Sequence, residues 1–525
     1  MIFISLIPYI IIVIIFNLIN LKSNVPGSDH PFHIGLIKAI KKNNHRFLLS
    51  YPYLIGEKNF NYPQFYHWIL SFLPKKVWNK YYLLVNLFVE LIGLILFYSF
   101  IITLYGFLNV DISFFYFSQL SLLIYVLTPF KFIGWNAKNT GVSGRSFGLI
   151  LGQVLLYLLT FHELFPENNY WFWALVACSF VIIISSIFTT QFMFFTCFIG
   201  AALFSDSSLL LAPILALFIY LLLFRKIALN WIKGHYIAKK NVAKYLAPIF
   251  FLKWRYSIWR DFIWDFWILI FKKGKSSLSY ILKNPVIEVI ITIPFIVICT
   301  IHYLYFAIYN KMNTEINGLF FTIISISIVA FVLTSFRKTR FLGEPQRYVE
   351  FSIPIISILV VILLFKTKLI YIIFTLIYSI TLVLYFTLFK DKHDSSKNIF
   401  SSYPGISKKI AEYIIKNNNG NDNKLISNNF DLTKYFLEHE IPVLRPVYTS
   451  EKLCGVHFKD YHLDNNITLN PIYAELFISE FKLNWFIHDK NLKGEYSNLL
   501  NVKSLIFNKK LSVESMDLYE IEHKH

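Results

Sequence analysis

Charge is scarce in this chain, and negative charge most of all: 15% of its 525 residues are Asp, Glu, Lys or Arg, with 31 acids against 50 bases. A water-soluble globule of this length cannot be built on so little charge, which excludes the soluble classes of enzyme and carrier. Cysteine is scarcer still. Of four, Cys178, Cys197 and Cys299 fall inside apolar runs and Cys454 stands alone in a polar tail, so no disulfide framework is available. The apolar stretch from Met1 to Asn20 has neither a basic leader nor a small-residue cleavage site, so it reads as a retained first span. No internal repeat and no nucleic-acid motif is visible.

What fills the space is hydrocarbon. Apolar residues make up 56% of the chain and aromatics 19%, and the mean hydropathy is +0.53. The fold class is therefore a polytopic α-helical membrane protein. About 20 helical residues cross the hydrocarbon layer. Apolar runs near that length lie at 2–20, 82–107, 112–130, 147–161, 169–187, 190–204, 207–224, 285–308, 317–335, 351–366 and 369–389, which predicts about eleven spans. The net charge of +19 needs an anionic partner, and because the bases cluster beside apolar runs, membrane lipid headgroups fit better than nucleic acid.

Composition divides the chain into a membrane domain, 1–390, with a long first loop at 21–81, and a soluble C-terminal domain, 391–525. In the tail, helical periods at 406–416, 431–439 and 471–481 alternate with strand patterns at 425–428, 484–488, 502–507 and 517–521, the mark of a small α/β domain without a glycine-rich phosphate loop. Between Arg225 and Asn284 thirteen Lys or Arg meet only Asp261 and Asp265, interleaved with Trp231, Trp254, Trp259, Trp264 and Trp267. This segment is suited to the headgroup layer, as a cytoplasmic anchor or as a surface that meets an anionic lipid substrate. Counting spans puts loop 21–81, loop 336–350 and the tail on one side, expected to be extracytoplasmic. The positive-inside rule pulls the basic segment the other way.

Three polar islands carry the candidate chemistry. The first is Gly27-Ser28-Asp29-His30-Pro31-Phe32-His33, followed within the same loop by Tyr62-Pro63-Gln64-Phe65-Tyr66-His67. Ionisable groups beside the bilayer are expensive and so mark function. Asp29 reads two ways that are compatible: a base that takes a proton from an acceptor, or a cap on the helix that starts near Pro31. His30 and His33, with His67 in support, add imidazoles; with Asp29 they offer a ligand set for a divalent metal ion, the one cofactor the residues suggest. The second island, Lys131 to Gly148, ends in Ser143-Gly144-Arg145, where Arg145 at a helix start is either a phosphate ligand or a snorkelling span end. The third, Gly343-Glu344-Pro345-Gln346-Arg347-Tyr348, sets Glu344 against Arg347 immediately before a span.

The first island resembles the first-loop motif of the GT-C superfamily of membrane glycosyltransferases, nearest to the Asp-Pro-aromatic-His pattern of oligosaccharyltransferase catalytic subunits, with His30 inserted after the aspartate. The Tyr62 to His67 stretch is similar to a Tyr-Pro-Pro-x-Tyr-His run, and Gly343 to Tyr348 to a Gly-Glu-x-x-Arg-Tyr motif, both of that superfamily. The resemblance implies a sugar donor linked to a polyprenyl-phosphate carrier, Asp29 acting on the acceptor, and Arg145, Glu344, Arg347 and Tyr348 holding the donor's phosphate and sugar. The acceptor and the sugar are left open. A lipid or lipid-linked-glycan transporter without covalent chemistry is the alternative, and it would show broken helices at mid-span.

Overall fold

The computed structural model describes residues 5–23, 29–56, 60–108, 112–132, 141–241, 243, 284–308, 315–367, 370–389, 402–417, 423–444, 452–453, 456–457, 473–490, 500 and 505–523. Trp135, Lys138, Cys454 and most of the basic segment 225–284 lie outside these residues. Two compact units emerge. One takes Met1–Asn24, Tyr81–Leu223 and Trp254–Asp394, the other Val25–Lys80, Phe224–Lys253 and Ser395–His525.

The first unit is helical. Its long elements include Ile7–Ser23, Tyr82–Tyr105, Phe114–Val126, Gly144–Leu164, Asn169–Ser185, Ile187–Phe204, Ser208–Leu223, Glu315–Thr334, Ile353–Thr367 and Ile370–Phe389, close to the expected runs. Starts are set by side-chain caps: Ser143, Asn168 and Ser186 each accept a backbone N–H from the turn they open. Ile353–Thr367 is apolar on every side, and Ile355, Ile358, Leu359, Val360 and Leu363 are fully buried, as befits the innermost helix of a bundle.

Among the described residues, Tyr82–Tyr105, Gly144–Leu164 and Ile187–Phe204 are long and apolar enough to cross a membrane alone, four spans if one bent pair counts as a fourth. The rest of the expected eleven contain shorter apolar stretches of 10–17 residues, Gly318–Thr334 and Thr375–Leu384 among them. The predicted span 285–308 is a bent pair of helices, Pro285–Thr292 and Pro294–Ile308, meeting at 93°, a broken span or a re-entrant loop. Pro294 has no N–H to continue the ladder, and its ring clashes with the preceding turn.

The second unit is α/β, and the first loop is part of it. A six-stranded sheet runs in the order β1-β3-β2-β6-β8-β7, with β1 Leu54–Ile55, β2 Leu425–Ser427, β3 Val443–Leu444, β6 Trp485–Asp489, β7 Leu505–Val513 and β8 Met516–His523, while β4 Lys452–Leu453 and β5 Val456–His457 form a separate antiparallel pair. The first four strands are parallel, and β8 and β7 are antiparallel additions. Strand β1 comes from the first loop and pairs Leu54 with Val443 and Ile55 with Leu444. One apolar core joins Leu36, Ile40, Tyr51 and Tyr53 of the loop to Ile410, Phe436, Trp485 and Leu518 of the tail.

Candidate functional site

In the second unit the first island opens helix His30–Lys42, with Pro31 in the first turn. Asp29 precedes that helix but makes no side-chain cap bond; its carboxylate, about half exposed, receives the Lys434 ammonium at 2.9 Å. Capping is therefore not what Asp29 does here. The partner comes from helix Phe430–Glu438 of the tail, a group that nothing in the sequence singled out.

The histidines turn inward. His33 Nδ1 and His67 Nε2 share a hydrogen bond of 2.9 Å, with the rings stacked at 5.1 Å, and His30 is buried beside them. Asp29, His30 and His33 do not form a common ligand set. The Asp29 carboxylate meets the Lys434 ammonium, His33 Nδ1 meets His67 Nε2, and among the described residues the three do not bring their ligand atoms within 4.8 Å of one another. The loop itself is rigidly tied: the Gln64 side chain both accepts from Leu48 N and donates to Leu48 O, and Trp68 Nε1 donates to His45 O.

Burial, followed by the neighbouring His33, lowers the His30 pKa from 6.5 to about 3, and burial holds His67 well below its usual range. Both rings are thus neutral in the folded chain where the unfolded chain protonates them. Between about pH 6.5 and pH 3 the unfolded state binds the extra proton, so stability is lost as pH falls through that window, each such histidine adding a slope of roughly 1.4 kcal/mol per pH unit. Thermal melting of the whole chain from pH 7 to pH 4.5 is expected to show this fall, and His30→Asn to flatten it. An unchanged slope in that variant would remove His30 from the account.

In the first unit the other two islands meet. Arg145 and Arg347, far apart in sequence, line one cleft with Phe130, Ser186, Thr189, Gln346 and Glu350. Two long helices start there. Arg145 is in the first turn of Gly144–Leu164, and Ser186 caps Ile187–Phe204, whose first turn carries Thr189. The starts touch at Gly148, where a Cβ would lie 2.5 Å from both Ser186 Oγ and Thr189 Oγ1. Unpaired N–H groups and aligned peptide dipoles make such ends favourable to anions, and two guanidiniums beside them add charge and fork-shaped donors.

Glu344 forms an ion pair with Arg347, fixing the guanidinium at the cleft. The turn that delivers both needs Gly343, whose φ of +112° L side chains rarely adopt. Tyr348 is placed elsewhere. It is fully buried against Phe188, Phe192 and Phe195, donates to Leu342 O at 3.0 Å and Gln191 Oε1 at 3.3 Å, and does not line the cleft. The contact with the donor expected of Tyr348 finds no place in the cleft lining, because the aromatic side chains of Ile187–Phe204 enclose the ring.

Sequence reasoning passed over two further groups. A second chamber carries Glu90 and Lys131; Lys131 stands at the edge of the second island, and Glu90 is the lone acid of its apolar run. His162, Glu163 and Asp206 bring one ligand atom each within 4.8 Å of one another, at the far end of helix Gly144–Leu164 from Arg145. There Asp206 Oδ2 is 2.9 Å from His162 Nε2 and accepts from Ser208 Oγ at 2.8 Å. An adjacent His–Glu pair at a helix end, joined by an aspartate from the connection two helices later, has no local signature.

No family model matches the chain, and no characterised protein matches its sequence. Among solved structures it is similar to ArnT from Cupriavidus metallidurans. The apo form covers 98% of this chain and 97% of its own at 9% identity and a TM-score of 0.43. The form bound to undecaprenyl phosphate has the same coverage, at 10% identity and a TM-score of 0.44. Similarity at this level establishes neither fold nor activity for the present chain.

Proposed function

We propose that the chain is a membrane glycosyltransferase that takes a sugar from a polyprenyl-phosphate carrier and passes it to an acceptor on the extracytoplasmic face. The observation that carries this is the cleft: two arginines and the N-termini of two long helices gathered in a bundle of apolar helices form a phosphate site with hydrocarbon around it. A lipid phosphate is the ligand whose head and tail both match that setting. Arg145 and Arg347 hold the phosphate, and Glu344 keeps Arg347 aimed.

In the transfer itself, an acceptor hydroxyl or amide attacks the anomeric carbon as the bond from that carbon to the carrier phosphate oxygen breaks. The electron pair leaves with the phosphate, whose growing charge the arginines stabilise, and the acceptor proton passes to a carboxylate. Asp29 is the carboxylate assigned to that step, with the Lys434 ammonium holding it in place.

The 93° break between Pro285–Thr292 and Pro294–Ile308 is the observation that favours a lipid transporter instead. One assay separates the two. Purified protein incubated with a panel of polyprenyl-phosphate sugars and an acceptor mixture is expected to release free polyprenyl phosphate. Movement of intact glycolipid between leaflets of a proteoliposome, with no release, would replace the transferase with the transporter.

A further inference from the structure

The arginine cleft opens beside a chamber of opposite character. Leu149 and Glu350 line both, and the chamber adds Asn86, Glu90, Tyr125, Lys131, Ser146 and Gln153. Its polar groups are held in place. Asn17 donates to Glu90 Oε2 at 2.9 Å; Gln153 Oε1 accepts from Tyr125 Oη at 3.1 Å, which fixes the amide; and the Lys131 ammonium stands 3.1 Å from the centre of the Tyr125 ring.

Two donors remain. Among the described residues, Gln153 Nε2 and Ser146 Oγ have no hydrogen-bond partner, though their residues are only 2% and 7% exposed. Buried donors without acceptors cost stability, and native proteins keep few of them unless a ligand or solvent answers them. They mark a chamber arranged for a guest with oxygens.

The charges say which guest. The chamber sets one cation, Lys131, against two carboxylates, Glu90 and Glu350, whereas the cleft sets two arginines against Glu350 alone, so a phosphate belongs on the arginine side. An apolar chain answers none of the donors. An uncharged, hydroxyl-rich group satisfies both kinds: its hydroxyls donate to the two carboxylates and accept from Gln153, Ser146 and Lys131.

We infer that this chamber is the subsite for the sugar of the donor, joined at Glu350 to the phosphate cleft, and that Glu90 and Gln153 determine which sugar is accepted. The inference rests on the cleft being a lipid-phosphate site, and the test keeps the two apart. Full-length protein in lipid nanodiscs is titrated with a polyprenyl phosphate carrying a neutral hexose and with the same polyprenyl phosphate without sugar.

Wild type is expected to prefer the glycosylated carrier. Glu90→Gln and Gln153→Met are each expected to weaken binding of the glycosylated carrier about tenfold and to leave the bare carrier within about twofold. Ser146→Ala, the mildest change, is expected to act in the same direction. Equal loss for both carriers, no loss for either, or a wild type without preference overturns the sugar subsite while the phosphate cleft stands. A wild type that binds neither carrier overturns the cleft. Retained bare-carrier affinity is itself the sign that a variant has folded.

Discussion

Asp29→Asn is expected to reduce sugar transfer about 10²- to 10⁴-fold, the range for losing a general base, while affinity for the glycosylated carrier is unchanged. The substitution keeps the size of the side chain and removes only its capacity to take a proton. Because Asp29 makes no cap bond, helix His30–Lys42 loses nothing at its start, and the fold is expected to survive. The surviving contact is the one to Lys434, which the amide oxygen can still accept. Single-turnover measurement with saturating donor isolates the effect in the chemical step. Full activity in this variant would take the base away from Asp29, and a parallel loss of donor affinity would turn it into a binding residue.

Arg347→Ala and Arg145→Ala act on the other half of the reaction. Each is expected to weaken carrier binding roughly 10- to 100-fold, the worth of a charge-assisted contact of about 1.5–3 kcal/mol, and the double variant to leave no measurable binding. Arg347→Lys restores charge but not the fork, and so is expected to recover only part of the loss. Glu344→Gln should resemble a weakened Arg347 variant, since it releases the guanidinium without removing it. Titration of bare polyprenyl phosphate measures all five. If both alanine variants bind it like wild type, the cleft is not a phosphate site.

Local patterns made much of this legible. Long apolar runs foretold the helices to within a few residues, because hydrocarbon length is written into consecutive residues. Arg145 and Arg347 stood out because a charge next to such a run is costly. Partners supplied from a distance were hidden. Strand β1 is two residues long, Leu54–Ile55, and exists only because Val443–Leu444 offers its edge. Lys434 looked like one lysine among many until the fold brought it to Asp29. Tyr348 shared a motif with Arg347, but a helix turn points neighbouring residues in different directions, and only one of the two faces the cleft. Glu90 is a single acid in an apolar helix, and its worth shows only when Lys131, Gln153 and Glu350 arrive from three other elements.

The pairing of β1 with β3 also sets an order of events during synthesis. Leu54 and Ile55 leave the ribosome almost 400 residues before Val443 and Leu444, and among the described residues every long helix of the first unit except Ile7–Ser23 is made in between. At about 5–20 residues per second the wait is some tens of seconds, during which the apolar side of helix His30–Lys42 has no tail to cover it. The tail therefore closes a structure begun by the first loop. A chain cut short after Phe389 would keep its long helices and its arginines, yet leave Asp29 without Lys434 and the loop without its sheet.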